Sequence, residues 1–340
     1  MSIGQATLER VEGAHRFSAF FRGYLANHLP MALVALDAMG ADDAVLGRFQ
    51  ASYEAAYLEA LTIPTFEIAR GDEVRYLGDA KAFPAWVAYF EKRIRVDGVK
   101  GVLESFIDAL MASVESGAFH GAIRAAYALE SGSPREMAHA LAYWSAAFEA
   151  PAEIVVPSGR ESPHAILRAL SRDPGHAGKR PAGRNIVERT RAAMGGEGFR
   201  TRVERVDPAR LSVESLARTL IRAYAATGDF TLLHGVTGCH ATRLLMPFVR
   251  DREAASRRLW AAIVAAHMAA GSPSIEGWGL ESGDALAWPQ ILARAVRCRD
   301  EHDVKLAYTC WREWQAHGDD LYRRVASAQV CHALSEIEAC

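Results

Sequence analysis

Apolar residues return at helical spacing along almost the whole chain, and that periodicity leaves little room for a sheet. The stretches 41–61, 98–117, 212–228, 252–270, about 287–316 and 319–332 each carry it, and they are rich in alanine, the strongest helix former. Start and stop signals agree. Ser133, Pro134 and Glu136 read as an N-cap, a proline at the first helical position and the return arm of a capping box. Gly228 sits where a helix would end. Two fragments read as strand, Glu153-Ile154-Val155-Val156-Pro157 and, more weakly, Val74-Arg75-Tyr76-Leu77. Two pieces that short make no self-sufficient sheet. The expected fold is mainly α, a single-domain multi-helix bundle with few or no strands. Half of the 340 residues are apolar, enough for a sizeable core. Residues from about 157 to 210 are rich in Gly, Pro and Arg, and are expected as a surface connection between N- and C-terminal lobes.

Charge and composition exclude several function classes. The net charge is −2 and the pI near 6.6, so there is no basic footprint for nucleic acid. No apolar run reaches the roughly 20 residues of a membrane span, and the first residues lack the apolar core of a signal peptide. Five cysteines lie widely spaced in the last third with no CxxC pair, which argues against a disulfide framework or a thiolate zinc site. The expectation is a cytoplasmic protein; its oligomeric state is left open. No GxGxxG follows a strand, since Gly195-Gly196-Glu197-Gly198 follows a helical stretch, and neither a P-loop nor a GxSxG elbow is present. Redox chemistry would therefore need a centre other than a flavin or nicotinamide on a Rossmann domain. No binding motif for NADPH is visible, and its use is left open.

Twelve histidines remain as candidate chemistry. Seven, namely His15, His139, His164, His176, His267, His317 and His332, lie in polar loops or singly on helices, where surface or hydrogen-bonded core roles are expected. Five others sit in denser surroundings: His28, His120, His234, His240 and His302. Neutral imidazoles suit iron, zinc, copper and nickel, and imidazoles from separate helices converge in bundle cores. His302 and Lys305, three apart, share a helix face. His234 and His240, six apart, point to different faces, so at most one of them serves a shared centre. Spacing alone favours hydrogen-bonded core histidines over ligands, because the candidates lie far apart in sequence.

The segments NHLPMALVAL (27–36, with Gly40-Ala41 following), FHGAIRAAYALES (119–131), FTLLHGVTGCHATRLLMP (230–247) and DEHDVKLAYTC (300–310) resemble, in order, the blocks of the questin oxidase-like family. That family takes its name from the oxidative opening of an anthraquinone ring and includes an aflatoxin-pathway protein described as a Baeyer–Villiger oxidase. The resemblance implies a mainly helical, mononuclear non-haem iron oxygenase with His28, His120, His234, His302 and Lys305 as metal ligands, and it favours His234 over His240. It further implies Fe(II) as cofactor, with O₂ and an aromatic, quinone-like or polyketide-type small molecule as reactants, and ring C–C cleavage as the typical outcome. Lysine is a poor ligand while protonated. Burial would keep Lys305 neutral, or CO₂ would add to the neutral amine and give a carbamate that ligates as a carboxylate does; the resemblance favours the carbamate.

Arg124, one turn after His120, is a candidate catalytic residue for holding a phenolate-type oxyanion, beside its alternative as a structural arginine. Tyr127, with Trp144 and Trp311, is a candidate for lining an aromatic pocket, although such residues more often belong to the core. A di-iron carboxylate protein is the alternative enzyme class. It needs two Glu-x-x-His pairs, and Glu12/His15, Glu136/His139 and Glu161/His164 match formally. The non-enzyme alternative is a helical binding protein whose histidines hold the core.

Overall fold

The computed structural model describes residues 3–22, 25–150, 155–276 and 285–338. The fold is mainly α, with fifteen α-helices and one two-stranded sheet among the described residues. That sheet pairs Phe20–Phe21 antiparallel with Leu25–Ala26, Phe20 opposite Ala26. No helix among the described residues is long and apolar enough to cross a membrane.

The chain divides into two compact units. The first comprises Met1–Val102, Arg124–Ala147 and Ser282–Cys340; the second comprises Leu103–Ile123 and Phe148–Glu281. In the first unit the helix Leu29–Ala38 is buried from Leu29 through Leu36, on all its faces. A helix apolar all round belongs in the middle of a core, and this one packs against Gln5–Gly13, Asp43–Tyr57 and Glu301–His317. In the second unit the same place is held by Arg252–Ala269, whose last eight residues are all buried. It contacts Ile186–Met194, Phe199–Glu204, Val213–Thr227 and Phe230–Leu245.

Several local expectations hold. The helical stretch expected over 212–228 is the helix Val213–Thr227, and Gly228 closes it with φ 61°; its N-cap is Ser212, which accepts from Ser215 N. Others need correction. The stretch Phe83–Met111 is two helices joined at Gly98, whose φ of 69° is left-handed and suits a residue without Cβ; beyond Met111 the chain passes through turns, so the helical stretch 98–117 is shorter than its periodicity indicates. The stretch 287–316 is two helices, Trp288–Ala295 and Glu301–His317. Val74–Leu77 is no strand: Glu73–Tyr76 is a 3₁₀ turn between the left-handed glycines Gly71 and Gly78, with no ladder partner. Of Glu153–Pro157, residues 153 and 154 lie outside the described residues and 155–157 form no strand. The Gly/Pro-rich segment 157–210 carries the helices Pro163–Arg172, Ile186–Met194 and Phe199–Glu204 and lies within the second unit. Ser133 does cap its helix by accepting from Glu136 N. The return arm of the capping box is missing, because the Glu136 carboxylate faces Arg124 and His15 instead.

Candidate metal centre

In the first unit, His28, His302 and Lys305 come together, and helix starts place all three. His28 is the N-cap residue of Leu29–Ala38, where Pro30 fits the first turn. Its neighbour Asn27 accepts from Leu29 N at 3.0 Å, and His28 N itself donates to the Tyr53 hydroxyl at 2.9 Å. His302 is the second residue of Glu301–His317. The N-cap there is Asp300, whose Oδ1 accepts from both His302 N (2.7 Å) and His302 Nδ1 (2.8 Å). One carboxylate thus starts the helix and orients the imidazole of a candidate ligand. The rings of His28 and His302 lie edge to face, 4.8 Å between centroids. One turn further on, Lys305 is 1% exposed and its Nζ lies 3.2 Å from His28 Nδ1. Burial pushes its pKa down to about 8, with Glu301 and Asp300 pulling the other way. A neutral, nucleophilic amine is therefore far more accessible here than at an exposed lysine.

In the second unit, His120 and His234 come together, with ring centroids 4.9 Å apart. His234 lies near the start of Phe230–Leu245, a helix capped by Asp229 through Thr231 N and Leu232 N. Its Nδ1 bonds Phe230 O at 2.8 Å. His120 opens its helix directly after three left-handed residues, Gly117, Ala118 and Phe119, with φ of 58°, 58° and 67°. For Ala118 and Phe119 that conformation costs about 1–2 kcal/mol each. The Phe119 ring explains part of the tolerance: it lies so close to Gly238 that a Cβ there would sit 2.6 Å from Phe119 Cδ1. The strained turn brings His120 Nδ1 to 2.5 Å from Gly117 O. His240 is also buried, but its Nδ1 faces Arg243 Nη2 at 3.4 Å.

The donor chemistry fits a metal. A carbonyl oxygen only accepts, so His120 and His234 carry the proton on Nδ1 and the lone pair on Nε2. Asp300 sets the same tautomer at His302. At His28 both Lys305 Nζ and Glu301 Oε1 lie 3.2 Å from Nδ1, one able to donate and the other an acceptor, so the two together fix no tautomer there. Anchoring one ring nitrogen by a carbonyl or carboxylate is how proteins aim the other at a metal. Glu301 and Asp300 are functional candidates that attention to histidines alone does not find. Together with His302 they offer three donor atoms within 4.8 Å of one another. The signal for them is their position immediately before His302 in the same helix start.

Arg124, Tyr127, Trp144 and Trp311 lie elsewhere in the first unit. Arg124 is 3% exposed and clamps Glu136, Nε to Oε1 at 2.7 Å and Nη2 to Oε2 at 3.1 Å. Tyr127 is buried, its ring 5.6 Å from Tyr308, and burial raises its pKa well above the usual value. Trp144 is fully buried and Trp311 half-buried. Two of the Glu-x-x-His pairs do meet: His15 Nε2 is 2.7 Å from Glu136 Oε2, and the His15 and His139 rings stack at 4.2 Å. The guanidinium of Arg124 occupies the Glu136 carboxylate, however. Against the opposing effect of burial, Arg124 and His15 hold that carboxyl at about 2. A fixed cation in that position disfavours a metal ion. The third pair separates, Glu161 bonding Arg205 Nε at 2.6 Å.

Anchored imidazoles and a buried, readily neutral lysine are residues that could hold a metal ion. A family model described as questin oxidase-like matches residues 25–310, and the chain belongs to the questin oxidase-like family. The family points to an oxidase acting on a polyketide-type small molecule. No protein of curated function matches the chain.

Proposed function

We propose that the chain is an iron-dependent oxygenase of aromatic or quinone-like polyketide-type molecules, with His28, His120, His234, His302 and Lys305 as the metal ligands. The observation that carries this reading is the anchoring of three imidazoles: His120, His234 and His302 each hold Nδ1 to a carbonyl or to the capping Asp300 at 2.8 Å or less. Nδ1–H held in this way leaves Nε2 of each ring as the ligating atom. Fe(II) would supply the capacity to engage O₂ that none of these side chains has.

The chain's own residues do the rest. Asp300 and Glu301 hold the rings of His302 and His28 and partly balance the charge of the centre. Lys305, neutral at a pH above about 8 and partly so below it, adds CO₂ through its amine nitrogen and releases one proton, which gives an anionic carbamate ligand. Four neutral imidazoles leave a divalent charge uncompensated, and a carbamate offsets half of it. NADPH is not needed for the ligand set, and its involvement is decided by whether turnover requires added reductant.

Elemental analysis of protein purified with iron supplied tests the reading. One iron per chain is expected, lost in His120→Ala and in His302→Ala while the helical signal persists. Two irons per chain would favour the di-iron class, and a metal-free protein whose variants unfold would leave the histidines as core residues.

A further inference from the structure

The first unit contains a cavity of about 620 Å³ between the helix Asp43–Tyr57 and the turn 296–301. That volume lies within the range of small-molecule sites, roughly 300–1,000 Å³. One wall is a ladder of rings: Phe49, Tyr53 and Tyr57 succeed one another at four-residue spacing, with centroids 6.1 and 4.9 Å apart. Such a ladder offers flat apolar faces to a flat ligand. The ladder touches the candidate centre, because the Tyr53 hydroxyl accepts from His28 N.

The cavity carries positive charge of its own. Arg48, Arg297 and Arg299 all line it, and no carboxylate lies within ion-pair distance of any of them among the described residues. Elsewhere in the same unit Arg16, Arg93 and Arg323 are each paired with a carboxylate at 2.8 Å or less. The two acidic residues of the cavity, Asp300 and Glu301, are already engaged by His302 and His28. Three arginines thus line a space whose own carboxylates are committed. A guanidinium left in that state recognises a carboxylate through two parallel hydrogen bonds.

We propose that this cavity binds an aromatic carboxylate, its acidic group held by Arg48, Arg297 and Arg299 and its rings laid along Phe49, Tyr53 and Tyr57. This names the substrate class for the oxidase reading. Oxidation of the bound molecule rests on that reading, whereas binding itself does not.

The test is a titration of the full chain with anthracene-2-carboxylate, monitored by the ligand's own fluorescence, beside the neutral anthracene-2-carboxamide. Iron-loaded and chelator-stripped protein are both used, with iron measured on each sample. The carboxylate is expected to bind about tenfold or more tighter than the amide, and added salt should narrow that gap. The triple variant Arg48→Gln, Arg297→Gln, Arg299→Gln should reduce the preference to about twofold or less, whereas the corresponding triple lysine variant should keep most of it. Equal affinity for the two ligands, no binding of the carboxylate, or an undiminished preference in the glutamine variant overturns the proposal. A carboxylate preference in protein that never takes up iron would sink the oxygenase reading and leave the cavity assignment standing. Stoichiometric iron without the preference would do the reverse.

Discussion

The amine of Lys305 lies 3.2 Å from Nδ1 of His28, and both side chains are buried. A protonated lysine in that place would be a buried charge beside a ring that also faces Glu301. Burial accordingly moves its pKa down to about 8, at which about a tenth of the amine is neutral at pH 7.

Lys305→Met should separate the structural from the ligand role. Methionine fills a similar volume without a polar head, so the variant should fold with stability equal to or above that of the parent at pH 7. Its iron affinity should fall by about tenfold or more. In the parent, iron uptake should rise with added bicarbonate, and carbon-13 bicarbonate should give a carbamate resonance that the variant lacks. Undiminished iron binding by the variant would remove Lys305 from the ligand set.

Asp300 performs two tasks that one substitution divides. Asparagine caps a helix about as well as aspartate, so Asp300→Asn should change unfolding free energy by about 0.5 kcal/mol or less. An amide is a much weaker partner for His302 Nδ1–H than a carboxylate. Iron affinity should drop about tenfold with the melting temperature of the metal-free protein nearly unchanged. A variant that loses stability and keeps its affinity would show Asp300 to be a cap and nothing more.

The helices are legible in the sequence because each repeats a local pattern, and the cap at Ser133 and the close at Gly228 are legible for the same reason. The helices within 157–210 have good caps too, at Ser162 and Asn185, but they are short and embedded in Gly and Pro, which dominate any composition-based reading. Val74–Leu77 resembles a strand because a four-residue apolar alternation fits a 3₁₀ turn equally well when no partner strand exists. At the candidate centre, the i, i+3 face of His302 and Lys305 is readable, and so is the divergence of His234 from His240. The pairing of His28 with Lys305, 277 positions apart, is not, since no local rule links residues on separate helices. The fate of the Glu136 side chain is hidden for the same reason: its partners Arg124 and His15 belong to other elements.

That buried Arg124–Glu136 pair should dominate the stability of its surroundings. Arg124→Met leaves a carboxylate in the core with only His15 beside it and should cost about 3–5 kcal/mol, read by denaturant unfolding. Removing both charges in Arg124→Met/Glu136→Met should recover most of the loss. If Arg124 instead serves the reaction, the single variant should unfold like the parent and lose turnover alone.

Glu115, in the second unit, gives a pH signature independent of any metal. It is almost fully buried, and burial pushes its pKa up to about 7, with Ser113 and Arg258 opposing the rise and Glu149 adding to it. The folded state therefore holds this proton more tightly than the unfolded chain, whose glutamate titrates near 4.5. Between those two values the folded protein binds more protons, so stability falls as pH rises. The contribution is fully present below about pH 4.5 and is lost as pH climbs through 7. The separation corresponds to roughly 3 kcal/mol. Glu115→Gln keeps the shape and removes the titration. It should match the parent near pH 4.5 and exceed it by about 1–3 kcal/mol at pH 8.5. Urea unfolding of both proteins across that range checks the slope, and parallel curves would place the Glu115 carboxyl back in its ordinary range.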